Sequence, residues 1–319
     1  MGLEFYAVNA FANSPHSGSQ AAVVVVPHDD ARWTDETYLQ AVAGDFAWPA
    51  TVFVSPMKNE GESSSGGKPK TPKYAIRWFT KAGELPLCGH GTCAAAHVLL
   101  PLHGAERIAF EHAGSGEIVA TKEEGGRIGI SMPITPATVS PDERQDLRKD
   151  LTVATGLEAS DVVRVAKYDW GGKSAVVQLD PETDLAGLRV DPKALGAHYT
   201  VTILTQAVRV KEGMVEIRSR VFIPSMGLDE DTITGSAHAV LTGYYLSANG
   251  GGRSTIERLV RDPDDERPAS VKPSTVVLDA VQLSARGGSM RCSLVDGRAQ
   301  LVGRAYLMGK GTLNDDFGC

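Results

Sequence analysis

The sequence lacks several features that would place it in a specialised class. It has only four cysteines in 319 residues (Cys88, Cys93, Cys292 and Cys319), without Cys-x-x-Cys pairs or zinc-ligand spacing. Neither a disulfide framework nor a zinc site is expected, and a reducing cytosol is the expected compartment. Apolar runs stay far below the ~20 residues that span a bilayer. The first residues also lack the basic flank and apolar core of a secretory signal.

Basic charge is also scarce. The formal net charge is −7 and the pI is about 5.6, so no basic excess is available to neutralise phosphates. We therefore expect neither nucleic acid nor a membrane as a partner, and a small molecule instead. The hydrophobic share of 42% and the charged share of 22% are ordinary for a globular protein. A chain of this length is expected to form two domains.

Two helix starts rich in small residues are the main positive feature. Leu87–Thr92 leads into the apolar run Cys93–Leu100, and Thr234–His238 leads into the similar run Ala239–Leu246. A helix that is apolar on every side is buried within its domain. Each start follows a strand that ends in an aromatic residue and then an acidic loop. This pattern indicates an approximate internal repeat, with coincidence between two Gly/Ala-rich helices as the alternative.

The segments between these helices suggest the domain organisation. Three prolines in Met132–Pro141 are typical of a connector between domains. The polar segment Lys58–Lys73 and the Gly-rich, then charged segment Asn249–Ser274 are expected to be loops. We expect two domains with the bounds 1–133, completed by about 303–319, and 134–302.

Both helix starts are suited to binding a polar group. First-turn amide N–H groups have no partner within the helix and carry a partial positive charge. Glycines such as Gly89, Gly91 and Gly235 let an anion approach the backbone closely. We therefore expect the two first turns to face one cleft that holds a small carboxylate or another polar metabolite.

The side chains at these positions can carry chemistry. A helix N-terminus favours the thiolate form of Cys88 and disfavours the cationic form of His90, so the imidazole can exchange protons near pH 7. We favour a chemical role for His90 together with Asp231. Alternatively, Cys88 is a small buried apolar residue, and Thr234 and Ser236 are only helix caps.

A dinucleotide-binding motif has to be weighed at the same place. Gly89-x-Gly91-x-x-Ala94 formally matches the glycine fingerprint, with Glu106 downstream. That fingerprint requires a strand that runs directly into the turn. Here Lys81–Pro86 interrupts the approach, and no series of βαβ units is expected to follow. A nicotinamide-dependent enzyme is therefore disfavoured.

At these residues the sequence resembles the PhzF-like isomerase family of phenazine biosynthesis, within the diaminopimelate-epimerase-like fold. The matching segments are Arg77–Thr80, Gly83–Thr92, Glu230–His238 and, near the end, Arg286–Gly288 through Leu301–Ala305. The resemblance implies an α+β fold of two similar domains. Each is a curved, mostly antiparallel β-sheet, a barrel-like roll, wrapped around a central helix, with the active cleft between the domains.

The same resemblance implies function. Family members are cofactor-free and commonly homodimeric, and the best-understood ones isomerise a dihydro-hydroxyanthranilate by moving a proton. By position, His90, Asp231 and Ser236 correspond to residues that contact the substrate or handle the proton. Some related racemases and dehydratases have a helix start like Cys88–Gly91 with a threonine opposite, as Thr234 would be, which keeps a one-base dehydratase open.

The sequence also departs from the family pattern. Ala50 occupies the position of the family's acid/base glutamate, and a methyl group can neither take nor give a proton. The early Gly-Asn-Pro motif is Gly18–Gln20, which places Ser19 at a substrate contact, and Thr232 replaces the proline after Asp231. Another group would have to take the glutamate's role, and the candidates are Asp45, Cys88, His90 and Asp231.

These observations lead to one prediction: a cytoplasmic, homodimeric, isomerase-like enzyme of small-molecule, secondary metabolism that needs no cofactor or metal. The alternatives are a non-standard cyclase, dehydratase or lyase in the same cleft, or a non-catalytic metabolite-binding protein. The predicted catalytic residues are His90, Asp231 and Cys88, and the predicted substrate-binding residues are Ser19, Gly89, Gly91, Thr234, Gly235 and Ser236.

Overall fold

The computed structural model describes residues 2–58, 71–139, 151–169, 173–261 and 275–314. Contacts divide the chain into two compact units, Met1–Ser131 with Val302–Cys319 and Met132–Leu301. Most of the predicted loop Lys58–Lys73 lies outside the described residues. Within the described ranges, no helix combines the length and the apolar character needed to cross a bilayer.

The first unit is a mostly antiparallel sheet with a helix on each face. Its strands follow the order β16-β1-β2-β3-β4-β6-β7-β8, and β5 pairs with β4. Only β2–β3 and β4–β6 are parallel among the pairs whose register the described residues define. Its elements are β1 (Leu3–Ala10), β2 (Ser19–Val25), α1 (Glu36–Phe46), β3 (Ala50–Pro56), β4 (Lys73–Thr80), β5 (Gly83–Leu85), α2 (Gly89–His103), β6 (Arg107–His112), β7 (Gly116–Glu123), β8 (Arg127–Pro133) and β16 (Ala305–Leu313).

The second unit repeats this plan. Its strands follow the order β15-β14-β13-β12-β11-β10-β9, with β10–β11 and β12–β13 parallel. Its elements are β9 (Val162–Asp169), β10 (Lys173–Leu179), α3 (Pro192–Gly196), β11 (Val201–Lys211), β12 (Met214–Phe222), α4 (Gly235–Leu246), α5 (Arg253–Leu259), β13 (Leu278–Gln282), β14 (Gly288–Val295) and β15 (Arg298–Gly303).

The internal repeat predicted from the two helix starts is therefore confirmed. From β1 to β7 and from β9 to β14, the pairs alternate between antiparallel and parallel in the same order. Each parallel pair is joined by a helix, α1 and α2 in the first unit and α3 and α4 in the second. These are single crossovers, so the expectation that no series of βαβ units follows the first helix start is confirmed. Because antiparallel pairs separate these crossovers, the sheets still differ from a doubly wound parallel sheet.

The predicted burial of the two small-residue helices is also confirmed. Every residue of α2 from Gly89 to Ala96 is buried, and α2 packs against β1, β2, β3, β6, β7 and β16. A helix that touches strands from across one sheet needs that sheet to curve around it. In α4, all residues from Ala237 to Leu246 are buried. Both units are thus curved sheets around a central helix.

The second face of each sheet carries another helix. In the first unit, Leu39 and Ala43 of α1 pack with Phe53 and Phe79. In the second unit, Leu195 of α3 packs in a cluster that includes Phe222. Side chains alternate along a strand, so these phenylalanines point away from the central helices. This alternation determines which residues can reach the candidate site.

One predicted loop contains a helix. Within Asn249–Ser274, residues Arg253–Leu259 form α5, and Ile256 is fully buried. The glycines that precede this helix are typical of a loop, so the sequence pattern did not predict it. A Cβ on Gly252 would lie 2.5 Å from ring atoms of Tyr244 and Tyr245, so the chain needs a glycine to pass there.

Candidate functional site

The first turn of α2 brings Cys88 and His90 together, as the sequence predicted. Cys88 is the N-cap residue, and its Sγ accepts the Gly91 amide N–H at 3.4 Å. The same sulfur lies 3.5 Å from Nδ1 of His90. Both side chains are buried, with exposed fractions of 4% and 7%. Cys88 therefore caps the helix and contacts the imidazole at the same time.

Gly91 is required by its close packing. A Cβ at this position would lie 2.8 Å from Val52 Cγ2, 2.9 Å from Trp78 Cδ1 and 3.1 Å from Cys88 Sγ. Any side chain would push the first turn of α2 away from β3 and β4. Gly91 thus holds His90 close to the sheet.

Ser19 and Ala50 lie at the start of neighbouring strands. Ala21 of β2 pairs with Ala50 of β3, so Ser19, two residues earlier on β2, points to the same face as Ala50. Both residues are fully buried. The Ser19 hydroxyl has no hydrogen-bond partner within the described ranges. Since Val52 on this face contacts the start of α2, the predicted contact residue Ser19 belongs to the α2 face of the sheet.

The structure removes one alternative for the missing base. Asp45 is exposed near the end of α1, which packs on the sheet face of Phe53 and Phe79. Ala50 and Val52 point to the opposite face, toward α2. Asp45 therefore cannot replace a base at position 50, and that alternative was wrong.

The start of α4 is built around the buried Asp231. Its Oδ1 accepts the Thr232 amide N–H at 2.8 Å, and its Oδ2 accepts the Thr234 hydroxyl at 2.6 Å. Thr234 is the N-cap residue, yet its side chain makes no capping hydrogen bond. The interpretation of Thr234 as only a cap was therefore wrong, because the hydroxyl holds the carboxylate instead.

Gln282 was missed by sequence reasoning, although it clamps this turn. Its side-chain Nε2 donates to the Asp231 carbonyl at 2.7 Å, and its Oε1 accepts the Thr234 amide N–H at 2.9 Å. The residue is fully buried at the end of β13. Its inward position in an alternating strand, where a polar residue is unusual, is the signal that could have indicated it.

His238 fixes the same turn from inside α4. Its ring Nδ1 lies 2.8 Å from the Thr234 carbonyl, which can only accept, so Nδ1 carries the proton. The other nitrogen, Nε2, lies 3.5 Å from the Ser219 hydroxyl. Complete burial lowers the pKa of His238 to about 4, although Thr234 and Asp231 oppose the shift. A neutral imidazole of one tautomer therefore supports Asp231 near pH 7.

The remaining predicted residues lie in the two first turns. Gly89 begins α2, and Gly235 begins α4 with Ser236 next to it; both glycines are buried and Ser236 is half-buried. One turn thus carries an imidazole and a thiol, and the other a carboxylate and hydroxyls. That both turns act on one substrate stays a prediction. Within the described residues, no three or more His, Cys, Asp or Glu side chains form a group that could hold a metal ion.

The start of α2 also differs from a dinucleotide-binding turn. The strand before α2 is β5, which is antiparallel to β4 and only three residues long, Gly83–Leu85. The fingerprint needs a parallel strand that leads into the helix. The formal glycine match at Gly89 and Gly91 therefore occurs without its structural context.

Comparison with known proteins places this site in a family. A family model described as phenazine biosynthesis-like protein matches residues 8–268. The chain belongs to the phenazine biosynthesis-like (PhzF) family. An uncharacterized isomerase of Pseudomonas aeruginosa is 30% identical to it, over 98% of this chain and 99% of the relative.

Solved structures agree with this family and fold. A PhzF-family protein of Enterococcus faecalis has a TM-score of 0.73 and 27% identity, covering 98% of this chain and 100% of that chain. A hydroxyproline epimerase of Agrobacterium vitis has a TM-score of 0.52 at 12% identity, covering 98% of this chain and 92% of that one. The resemblance of the sequence to the PhzF-like family and the epimerase-like fold is thus confirmed.

Proposed function

We propose that this protein is an isomerase-type enzyme that moves a proton on a small, carboxylate-bearing metabolite without a cofactor. The observation that carries the proposal is that a buried reactive group lies at the start of each central helix: His90 in the first turn of α2, and Asp231 in the loop that leads into α4. The isomerase names of relatives and the epimerase-like fold support this reaction type. From the resemblance, we also propose a cytoplasmic homodimer of secondary metabolism.

Each group has a distinct role in this proposal. His90 takes a proton from carbon and returns it, because an imidazole can do both near neutral pH. Asp231 orients the substrate, and its carboxylate interacts electrostatically with the charge that develops on the substrate during the reaction. The first-turn amides at Gly89 and Gly235 receive the carboxylate or carbonyl oxygens. Cys88, in contact with His90, positions the imidazole.

Ala50 favours a second candidate. The residue is fully buried at the start of β3, and it cannot act as the second proton carrier of an isomerase. A single-base elimination, as in a dehydratase or lyase, or a cyclisation directed by hydrogen bonds, needs only His90. A protein that only binds a metabolite needs neither His90 nor residue 50 as a base.

Deuterium incorporation tests the proposal. We would incubate the protein with a dihydro-hydroxyanthranilate in deuterated water and follow exchange and product by NMR and mass spectrometry. His90→Asn and Asp231→Asn should each reduce turnover by roughly 10²- to 10⁴-fold, the usual contribution of a positioned acid or base. Matched controls are His97→Asn, further along α2, and Asp45→Asn, on the other face of the sheet.

The outcomes separate the candidates. Exchange at carbon with the product retaining all substrate atoms supports the isomerase, and loss of water or another group supports the lyase. Binding without exchange or product supports the metabolite-binding protein. Turnover that is unchanged in both His90→Asn and Asp231→Asn would show that the assigned residues are wrong.

A further inference from the structure

A buried hydrogen-bond donor without a partner lies beside the first turn of α2. Trp78 is fully buried, and its indole Nε1–H has no hydrogen-bond partner in the part of the chain that the structure describes. Buried polar groups are nearly always paired, because an unmet donor costs the full free energy of its desolvation. The indole therefore marks a place where an acceptor is expected.

The indole edge that carries this donor faces α2. Trp78 Cδ1, the atom bonded to Nε1, would lie 2.9 Å from a Cβ on Gly91. The Trp78 ring also packs against the ring of His112, with 4.7 Å between the ring centroids and an angle of 44° between the ring planes. Nδ1 of His112 accepts the amide N–H groups of Gly114 and Ser115, which fixes that imidazole. The Trp78 ring thus contacts both the helix start and the ring of His112.

A second unmet donor lies on the same face of the sheet. The buried Ser19 hydroxyl has no partner within the described ranges. Ser19 points to the face of Ala50, as shown above. Val52 points there too and pairs directly with Trp78 across β3 and β4. Two buried donors without partners among the described residues therefore lie on β2 and β4, the strands on either side of β3, which carries Ala50.

The end of β1 connects Ser19 to α2. Ser19 pairs with Ala10, and the next residue, Phe11, donates its backbone N–H to Cys93 in α2. Phe11 is buried with φ of +52°, a conformation that costs free energy for a residue with a side chain. The chain thus adopts a strained turn where Ser19 and α2 come together.

Position 50 lies close to the Trp78 donor. Because Val52 pairs with Trp78, position 50 is the diagonal neighbour of Trp78, within reach of a long side chain. The methyl group of Ala50 accepts no hydrogen bond, so residue 50 itself supplies no acceptor. We take a ligand as the source of the acceptor.

The chemistry of the surroundings selects the ligand. Trp78 Nε1 only donates, the Ser19 hydroxyl can donate, and the first turn of α2 adds amide donors and a partial positive charge. The neighbours Ala50 and Val52 are small and apolar and carry no charge themselves. A carboxylate, with two acceptor oxygens and one negative charge, matches this set of groups.

We propose that Trp78 is a ligand-binding residue, and that its indole N–H and the Ser19 hydroxyl bind the carboxylate of the substrate beside Ala50. The inference rests on the proposed function in that the first turn of α2 is the place of binding. It deepens that function, because the ligand supplies the carboxylate that residue 50 of this chain does not. Trp78 then contributes binding and orientation, whereas the proton transfer stays with His90.

Indole NMR tests this without knowledge of the substrate. The chain has four tryptophans, so protein labelled with ¹⁵N-tryptophan gives at most four indole N–H signals, and Trp78→Phe assigns the relevant one. Sodium benzoate is the probe, and sodium chloride at equal ionic strength is the control. We expect the Trp78 signal to move downfield and saturate with benzoate alone. A Trp78 signal unmoved by benzoate would overturn the proposal.

Substitutions at position 50 sharpen the test. Ala50→Glu supplies a carboxylate from the protein, so the Trp78 signal should lie downfield without benzoate and no longer respond to it. Ala50→Met is the matched control, because it lengthens the side chain without adding a carboxylate and should leave the signal of the free protein in place. Identical Trp78 signals in Ala50→Glu and Ala50→Met would contradict the proposal.

If a substitution at position 50 prevents folding, Trp78→Phe provides a second test. It keeps an aromatic ring and removes the donor together with part of the ring volume. Calorimetry should show benzoate binding weakened by roughly 10-fold, the usual effect of losing one hydrogen bond to a charged group. The smaller ring leaves a cavity in the core, so the Tm should fall whether or not the indole binds benzoate. Unchanged benzoate affinity with a lower Tm would show that Trp78 only fills the core.

The result is independent of the turnover experiment. A silent Trp78 signal overturns this carboxylate site and leaves the roles of His90 and Asp231 open to their own test. Conversely, a Trp78 signal that responds to benzoate, combined with turnover unaffected by His90→Asn, would keep the carboxylate site and remove the proposed proton transfer.

Discussion

The starts of α2 and α4 share one supporting module. In the first unit, Arg77 of β4 binds both oxygens of Glu84, and its guanidinium lies 5.1 Å above the Phe79 ring. In the second, Arg220 of β12 binds both oxygens of Glu230 and lies 5.1 Å above the Phe222 ring. Each glutamate precedes the N-cap residue of its helix by four positions. The module therefore anchors the loop that leads into each helix.

Beyond this module, the two starts diverge. Cys88 caps α2 through its side chain, whereas the Thr234 side chain binds Asp231 and leaves α4 uncapped by it. The residue four positions after each cap, Thr92 or His238, bonds to the carbonyl of the cap residue in both units. The two units thus share the Arg–Glu pair and the bond to the carbonyl of the cap residue. The chemical groups at the two helix starts differ.

This difference suggests a division of labour. The first unit has two reactive groups, Cys88 and His90, whose side chains contact each other. The second unit surrounds one carboxylate, that of Asp231, with supports from β13 and α4, namely Gln282 and His238. A group whose geometry matters throughout a reaction benefits most from such rigid support. The comparison therefore predicts unequal responses to equivalent substitutions.

The largest inequality is expected at Gln282 and His112, which hold equivalent places at the ends of β13 and β6. Gln282→Leu leaves the Asp231 carbonyl and the Thr234 amide unpaired in the core, which should lower the free energy of unfolding by about 4 kcal/mol. His112→Leu should lower it by less than about 1 kcal/mol, because water can reach the amides it binds. Urea unfolding measures both, and equal losses would contradict the division of labour.

The pH dependence of stability should separate His238 from its counterpart Thr92. In the unfolded chain His238 has a pKa of 6.5, and burial lowers it to about 4 in the folded protein. The unfolded state therefore binds the proton first, so stability is complete above pH 6.5 and falls as the pH drops toward 4. At about 1.36 kcal/mol per pKa unit, the loss amounts to about 3 kcal/mol.

The matched variant for this effect is His238→Gln, which keeps a side-chain donor and does not titrate. Urea unfolding at pH 7 and at pH 5 should show a smaller loss of stability in the variant than in the parent chain. Burial also lowers the pKa of His97 and His112, but both remain in the variant and cancel in the difference. The same loss in both proteins would show that His238 is not buried as a neutral imidazole.

The smallest inequality is expected at the two cap residues. Thr234→Val removes the donor to the Asp231 Oδ2 and should cost about 2 kcal/mol, because that buried oxygen loses its partner. Cys88→Ala removes a sulfur acceptor from the Gly91 amide at 3.4 Å and should cost about 1 kcal/mol. Thermal unfolding ranks the two, and a larger shift for Cys88→Ala would reverse the comparison.

The candidate site was partly predictable. Glycines at a helix start, together with His90 and Asp231, have a local chemical meaning that can be inferred from neighbours along the chain. Gln282 could not be connected to Asp231 in this way, because 51 residues separate them and the contact depends on the β12–β13 register. Asp45 shows the reverse error: it lies five residues before Ala50, yet α1 holds it on the other face of the sheet.

By itself, the sequence determined the repeated pattern of a strand, an acidic loop and a buried helix, and the kinds of reactive groups at each helix start. These follow from local properties, namely residue size, apolar periodicity and the unpaired amides of a first turn. Only the tertiary structure decided which face each side chain occupies and that Gln282 and His238 support Asp231. It also decided that the polar atoms of Trp78 and Ser19 are buried without hydrogen-bond partners among the described residues. Such facts depend on strand register and on packing between distant segments, which no short stretch of sequence specifies.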